Sequence, residues 1–167
     1  FLLLWLGRKS GFFRNMKKIR KLSKLWMPLG KNITIVGGGL VGVELSHFLS
    51  ERKRNVSVLE TRPVMAPEMA HPRRWRSLHQ ASLSGVKFHN NIQVVEIRKN
   101  SVLYIKDGNE CEVPADSVIL AEGIQADRKV LEKFSGIEVE THIIGDAESI
   151  GYIEGAIRSG NRVGQIV

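Results

Sequence analysis

The stretch ITIVGGGLVGVELSHFLSERKRNVSVLE, Ile33 to Glu60, constrains this chain more than any other part of it. Gly37, Gly39 and Gly42 stand at G-x-G-x-x-G spacing. Such a trio is weak evidence alone, so its flanks decide. Before it, Ile33-Thr34-Ile35-Val36 reads as a buried parallel strand. After it, Val41, Leu45, Phe48 and Leu49 recur at the spacing of one helix face. A second strand, Asn55 to Leu59, then runs into an acid, Glu60, 18 residues beyond Gly42. Strand, glycine loop, helix, strand and acid in that order form a dinucleotide-binding unit. Gly37 permits the tight turn, Gly39 lets a pyrophosphate approach the backbone, and Gly42 lets the helix pack close to the strand. Gly38, Leu40 and Val41 complete the loop and the first helical turn. The unpaired N–H groups of that turn carry partial positive charge toward the phosphates. Glu60, with Thr61 beside it, is placed to accept hydrogen bonds from the adenosine ribose and to repel a 2′-phosphate. That favours NAD(H) over NADP(H), while Arg62 pulls the other way.

A length of 167 residues suits one domain, or one and a part of another. The single cysteine, Cys111, excludes an internal disulfide, a CxxC redox centre and an iron–sulfur site, and is expected to be structural. His47, His71, His79, His89 and His142 show no metal-ligand spacing, so no metal site is assigned. The opening FLLLWL is too short to span a bilayer and has no basic segment before it, which predicts a cytoplasmic protein. The net charge of +8 belongs to one segment. Nine of the 25 Lys and Arg fall in residues 1–31, which hold no acid, leaving 16 bases against all 17 acids. No nucleic-acid motif accompanies that segment, and its aromatics fall at helical spacing, so no nucleic-acid partner is expected. Phe12, Met16, Ile19, Leu22 and Trp26 share one arc of a helical wheel, with six Lys and Arg across from them. Residues 1–30 thus form a basic amphipathic segment. Its apolar face docks on another protein domain or makes a peripheral contact with an anionic membrane.

From Lys31 the reading is α/β: a Rossmann-like parallel sheet with helices and a β-meander. A loop rich in Pro and Met follows Glu60, and a helix runs from Pro72 to about Ser84. VKFHN is the next parallel strand. IQVVEIRK, SVLYIKD and ECEVP, separated by Asn100 and by Asp107-Gly108-Asn109, make the meander. Ser117 to Leu120 is another buried strand. Thr141 to Ile144 reads as a further strand running into Gly145-Asp146, with a helix from about Gly151 to Val163. An acid between a strand end and a helix start is placed to bind a sugar-like hydroxyl, and equally to cap the helix.

The ordered set VGGGLVGVE, acid-ended strand, meander, VILAEG and HIIGDAESIGYIEGAIRSG resembles the flavoproteins with two dinucleotide-binding domains. Within that group it resembles the C-terminal region of the old-yellow-enzyme-related NADH:flavin oxidoreductases, such as 2,4-dienoyl-CoA reductase, 2-enoate reductase and trimethylamine dehydrogenase. WMPLGKNITIVGGG and MAPEMAHPRRW add to the likeness, which covers roughly residues 25–167. It implies an NAD(H)-binding domain at 31–123 and the C-terminal piece of an FAD-binding domain at 124–167. Gly37, Gly39 and Gly42 would hold the NAD pyrophosphate, Glu60 the ribose, Gly123 the turn out of the NAD domain, and Gly145-Asp146 the FAD ribityl chain. Glu122 departs from the Thr or Leu usual before that glycine. No strand–glycine loop–helix unit for the FAD ADP moiety precedes Lys31. The chain is therefore expected to be a fragment of a larger polypeptide or a degenerate short relative, with the missing flavin domain or barrel supplied in cis or by another chain. The expected role is to present NADH for hydride transfer to FAD, and no side chain is assigned a catalytic role. The alternative is a non-catalytic nucleotide-binding or structural α/β domain.

Overall fold

The computed structural model describes residues 16–167. The elements run α1 (Met16–Leu25), β1 (Asn32–Val36), α2 (Leu40–Ser50), β2 (Asn55–Leu59), α3 (His71–Leu83), β3 (Lys87–His89), β4 (Ile92–Ile97), β5 (Ser101–Lys106), β6 (Asn109–Pro114), β7 (Ser117–Leu120), α4 (Arg128–Glu132), a 3₁₀ turn (Gly145–Ala147) and α5 (Tyr152–Val163). The chain divides into two compact units between Glu122 and Gly123.

The first unit is built on a four-stranded parallel sheet in the order β3-β2-β1-β7. β1 runs between β2 and β7, with Ile35 opposite Val58 on one side and Ile119 on the other. The β-branched runs of β1 and β2 are buried, as a central parallel strand requires. Their alternation sorts the two faces. Ile33, Ile35, Val56 and Val58 join Val43 and Leu49 of α2 and Ala81 of α3 in one core. Leu59 turns the other way, into a second core with Ile92, Val102, Tyr104 and Val113 of the antiparallel sheet β4-β5-β6. Thr34 also points to that side and donates to the Pro114 carbonyl at 3.2 Å. His89 lies there too, with its Nδ1 3.1 Å from the Tyr104 hydroxyl and its Nε2 buried without a partner. Burial first, and then the charges of Lys106 and Lys87, hold the His89 imidazole below its usual pKa.

The buried residues of α2 are Gly42, Val43, Ser46 and Leu49; of the stripe Val41, Leu45, Phe48, Leu49 that apolar periodicity suggests, Leu49 is buried and Leu45 packs partly buried on the core, while Val41 and Phe48 are exposed. Small residues let the helix approach the sheet, so they take the inner face. Val41 is turned outward, and the Phe48 ring lies beneath the Arg52 guanidinium, 3.4 Å from it. Ile19 of α1 is half-buried, while Leu22 of the same helix and Trp26 just beyond it are exposed. Phe12 of the expected helix lies outside the described residues. Arg52 Nε donates to Ser23 Oγ at 3.0 Å, and Met27 and Leu29 pack against the core.

The second unit holds α4, the 3₁₀ turn and α5. The expected strand Thr141 to Ile144 is not a strand. Ile144 has extended dihedrals, but the described residues of this unit contain no strand for it to pair with.

Candidate dinucleotide site

β1 delivers the chain into Gly37, whose φ of 106° strongly favours glycine. A Cβ there would stand 2.3 Å from the Ala121 carbonyl oxygen at the end of β7. Gly42 presses on Gly37 from α2, where a Cβ would stand 2.0 Å from the Gly37 carbonyl oxygen. The loop is thus clamped between strand end and helix with no room for a methyl group at either position. Gly39 is the N-cap of α2 and makes no side-chain cap hydrogen bond. The N–H groups of Leu40, Val41 and Gly42 open the helix and have no intrahelical acceptor. That backbone cradle, at the carboxyl ends of parallel strands, fits a pyrophosphate.

Glu60 follows β2 directly and its side chain is only 5 % exposed. Oε2 accepts from the Gly38 N–H at 2.8 Å and from Arg62 Nη2 at 3.0 Å. Oε1 accepts from the Arg62 backbone N–H at 2.9 Å, from Arg62 Nε at 3.2 Å and from the Thr61 hydroxyl at 3.3 Å. Burial pulls the Glu60 carboxyl up, but the Arg62 side chain, the N–H groups of Arg62 and Gly38, and the Arg62 charge outweigh it, and the group sits below the usual carboxylate range. Glu60 therefore fastens the glycine loop from beneath, and a ribose reaches its oxygens only where Arg62 yields.

Three residues of the loop after Glu60 join the site without having been singled out from the sequence. The Ala66 N–H donates to the Gly38 carbonyl at 2.7 Å, with Ala66 at a φ of 43°. Met65 Sδ would stand 2.4 Å from a Cβ on Gly38. Glu68 Oε1 accepts from Arg62 Nη1 at 2.8 Å. The available signal was Glu68 itself, the one acid in a loop that must cross the carboxyl edge of the sheet, where ligands of this fold bind.

The remaining expected residues belong to the second unit. Gly123 opens the second unit with a φ of 106° and open space where a Cβ would be. Gly145 is buried and donates to Ser159 Oγ at 2.8 Å. Asp146 Oδ1 accepts from the backbone N–H groups of Gly151 and Tyr152, both at 2.9 Å, and so caps α5. Among the described residues no group of three or more His, Cys, Asp or Glu is arranged to hold a metal ion. No helix among them is long and apolar enough to cross a membrane.

Parallel sheet, clamped glycine loop and strand-end acid together define a Rossmann-like nucleotide-binding protein. The chain belongs to the pyridine nucleotide-disulphide oxidoreductase family, whose model matches residues 6–149. It is 31 % identical over 137 residues to the NADH oxidase of Thermoanaerobacter brockii, covering 80 % of this chain and 21 % of that protein. It is 27 % identical over 110 residues to the dihydrolipoyl dehydrogenase of Acholeplasma laidlawii, covering 66 % of this chain and 32 % of that one. Among solved structures, 2-naphthoyl-CoA reductase superposes with a TM-score of 0.70 at 23 % identity, over 84 % of this chain and 22 % of its own. Histamine dehydrogenase from Rhizobium sp. 4-9 gives 0.69 at 16 % identity, over 83 % and 23 %. Both share the fold. The chain spans about a fifth to a third of the length of these relatives. FAD and NAD(H) are the cofactors of this family.

Proposed function

We propose that this chain is the NADH-presenting part of a larger flavin-dependent reductase of the enoate or dienoyl-CoA reductase kind. The observation that carries the reading is the Gly37–Gly42 clamp, a loop whose glycines put no side chain of their own between the strand end and the N-terminus of α2. NADH supplies the hydride and FAD accepts it; the chain's own work is to bind and orient. Gly37 and Gly42 fix the cradle, the first-turn N–H groups meet the pyrophosphate, and Glu60 meets the ribose. The order of motifs and the fold shared with 2-naphthoyl-CoA reductase support the narrower assignment.

Residues 123–167 are proposed as the C-terminal piece of an FAD domain whose remainder lies in another segment or chain. The exposed pair Ile143 and Ile144, the latter extended and without a strand partner among the described residues, supports this. Asp146, already capping α5 through Oδ1, would offer only its other oxygen to a flavin hydroxyl.

The test is a titration of the purified chain with NADH and NADPH. NADH is expected to bind more tightly, because Glu60 and Glu68 leave the loop negative against a 2′-phosphate. NADPH binding at least as tight would make Arg62 the determinant instead. The chain alone is expected not to retain FAD; stoichiometric flavin in the purified protein would overturn the FAD-domain assignment.

A further inference from the structure

We propose that Glu68 is a tethered anion that occupies the phosphate end of the glycine-loop site and withholds Arg62 from the nucleotide. It thereby sets both the affinity of the site and its choice between NADH and NADPH. This rests on the reading of the glycine loop as the NADH site.

Both carboxylate oxygens of Glu68 lie 3.6 Å from the point where a Cβ on Gly39 would stand. Gly39 is the N-cap of α2, so this is the space that the helix N-terminus offers to an anion. The same point lies 3.4 Å from Arg62 Nη2. Burial pulls the Glu68 carboxyl up, yet the Arg62 hydrogen bond, backbone N–H groups of Glu68 itself and of Leu40, and the Arg62 charge hold it below the usual carboxylate range. It is therefore an anion at neutral pH, drawn to the groups that would otherwise meet a pyrophosphate.

Arg62 stands between two carboxylates. Nη1 donates to Glu68 at 2.8 Å, while Nε and Nη2 donate to Glu60 at 3.2 and 3.0 Å. One cation against two anions leaves the loop with a net negative charge, and every arm of the guanidinium is engaged. A 2′-phosphate meets repulsion and a guanidinium whose three nitrogens each already donate to a carboxylate. A pyrophosphate must first displace Glu68 from the end of α2. Neutralising Glu68 removes that anionic competitor and also weakens the hold on Arg62 Nη1, a donor suited to a 2′-phosphate.

The experiment compares the full 167-residue chain with Glu68→Gln, titrating NADH and NADPH at one fixed ionic strength. Glu68→Gln is expected to bind NADH more tightly, and to move the NADPH-to-NADH affinity ratio toward NADPH by about tenfold, the scale of one charge-assisted hydrogen bond. In an Arg62→Gln background the same substitution is expected to leave the ratio unchanged. A merely structural Glu68 would weaken both nucleotides alike, so an unchanged ratio or weaker NADH binding in Glu68→Gln overturns the proposal. Where circular dichroism shows Glu68→Gln unfolded, Glu68→Asp serves instead. It keeps the charge but draws the carboxylate back from Gly39, and a ratio that does not move toward NADPH again overturns the proposal. Binding of neither nucleotide by either chain overturns the NADH reading itself, and this proposal with it. Binding by Glu68→Gln alone supports both.

Discussion

Residues 16–122 and residues 123–167 use the same kinds of element but finish differently. In the first unit Ile33, Ile35, Val43 and Val58 are fully buried, and the sheet is covered on both faces. In the second, only Gly145 and Ser159 are buried among the described residues, while Phe134, Val139, Ile153 and Ile157 are exposed. The sequence is nearly as apolar there. What differs is the availability of partners: each strand of the first unit has neighbours within its own unit, whereas the extended Ile144 has none among the described residues. The contrast teaches that apolar content does not make a core until the chain also supplies the opposing surface.

The sharpest way to break this comparison starts in the first unit. Gly42→Val places a branched side chain where even a Cβ would stand 2.0 Å from the Gly37 carbonyl. It is expected to cost more than about 4 kcal/mol and to abolish NADH binding, read by urea denaturation and titration. Next comes a matched pair. Ile35→Ala, at a fully buried position, is expected to lose about 2–5 kcal/mol. Ile144→Ala, at a residue 43 % exposed, is expected to change stability by less than about 0.5 kcal/mol. Equal losses would show that the second unit has a core of its own. Asp146→Ala removes the acceptor of two α5 N–H groups and is expected to cost the second unit about 1 kcal/mol. Reduced helical ellipticity with an unchanged first-unit midpoint checks it.

The smallest effect is a pH dependence confined to the first unit. The His89 pKa is lowered on folding, so the unfolded chain binds the proton more readily. The stabilisation is complete above about pH 6.5 and is lost as pH falls through the lower, folded value. Thermal melts at several pH values between 7.5 and 5 should show this decline, and His89→Gln should flatten it.

Much of the fold was legible because its signals are local. The β-branched runs marked β1 and β2, Pro72 marked the first turn of α3, and Asp107-Gly108 marked the β5–β6 turn. The buried face of α2 was not, because it is set by the small residues Gly42 and Ser46 approaching the sheet, and apolar periodicity does not register small residues. The sequence placed Glu60 at the end of β2 but not the five hydrogen bonds that engage its carboxylate, which depend on how the loop after it folds. Glu68 was missed for the same reason. Residues 141–144 were misread because a β-branched run is a local signal, while strand pairing is not.

The position of β7 has a consequence for the order of folding. β1 and β7 are neighbours in the sheet, yet Asn32 and Asp116, which bond across that edge, are 84 residues apart in the chain. Between them, β2, β3 and the meander can each form from nearer contacts, and closing the longest loop comes late. The Gly37 turn lies against Ala121, whose N–H donates to the Val36 carbonyl at 2.7 Å, so the turn lacks its outer wall until β7 docks. The nucleotide cradle therefore depends on the last strand of the first unit, and a chain cut before β7 would keep the glycines but lose the wall that shapes their turn.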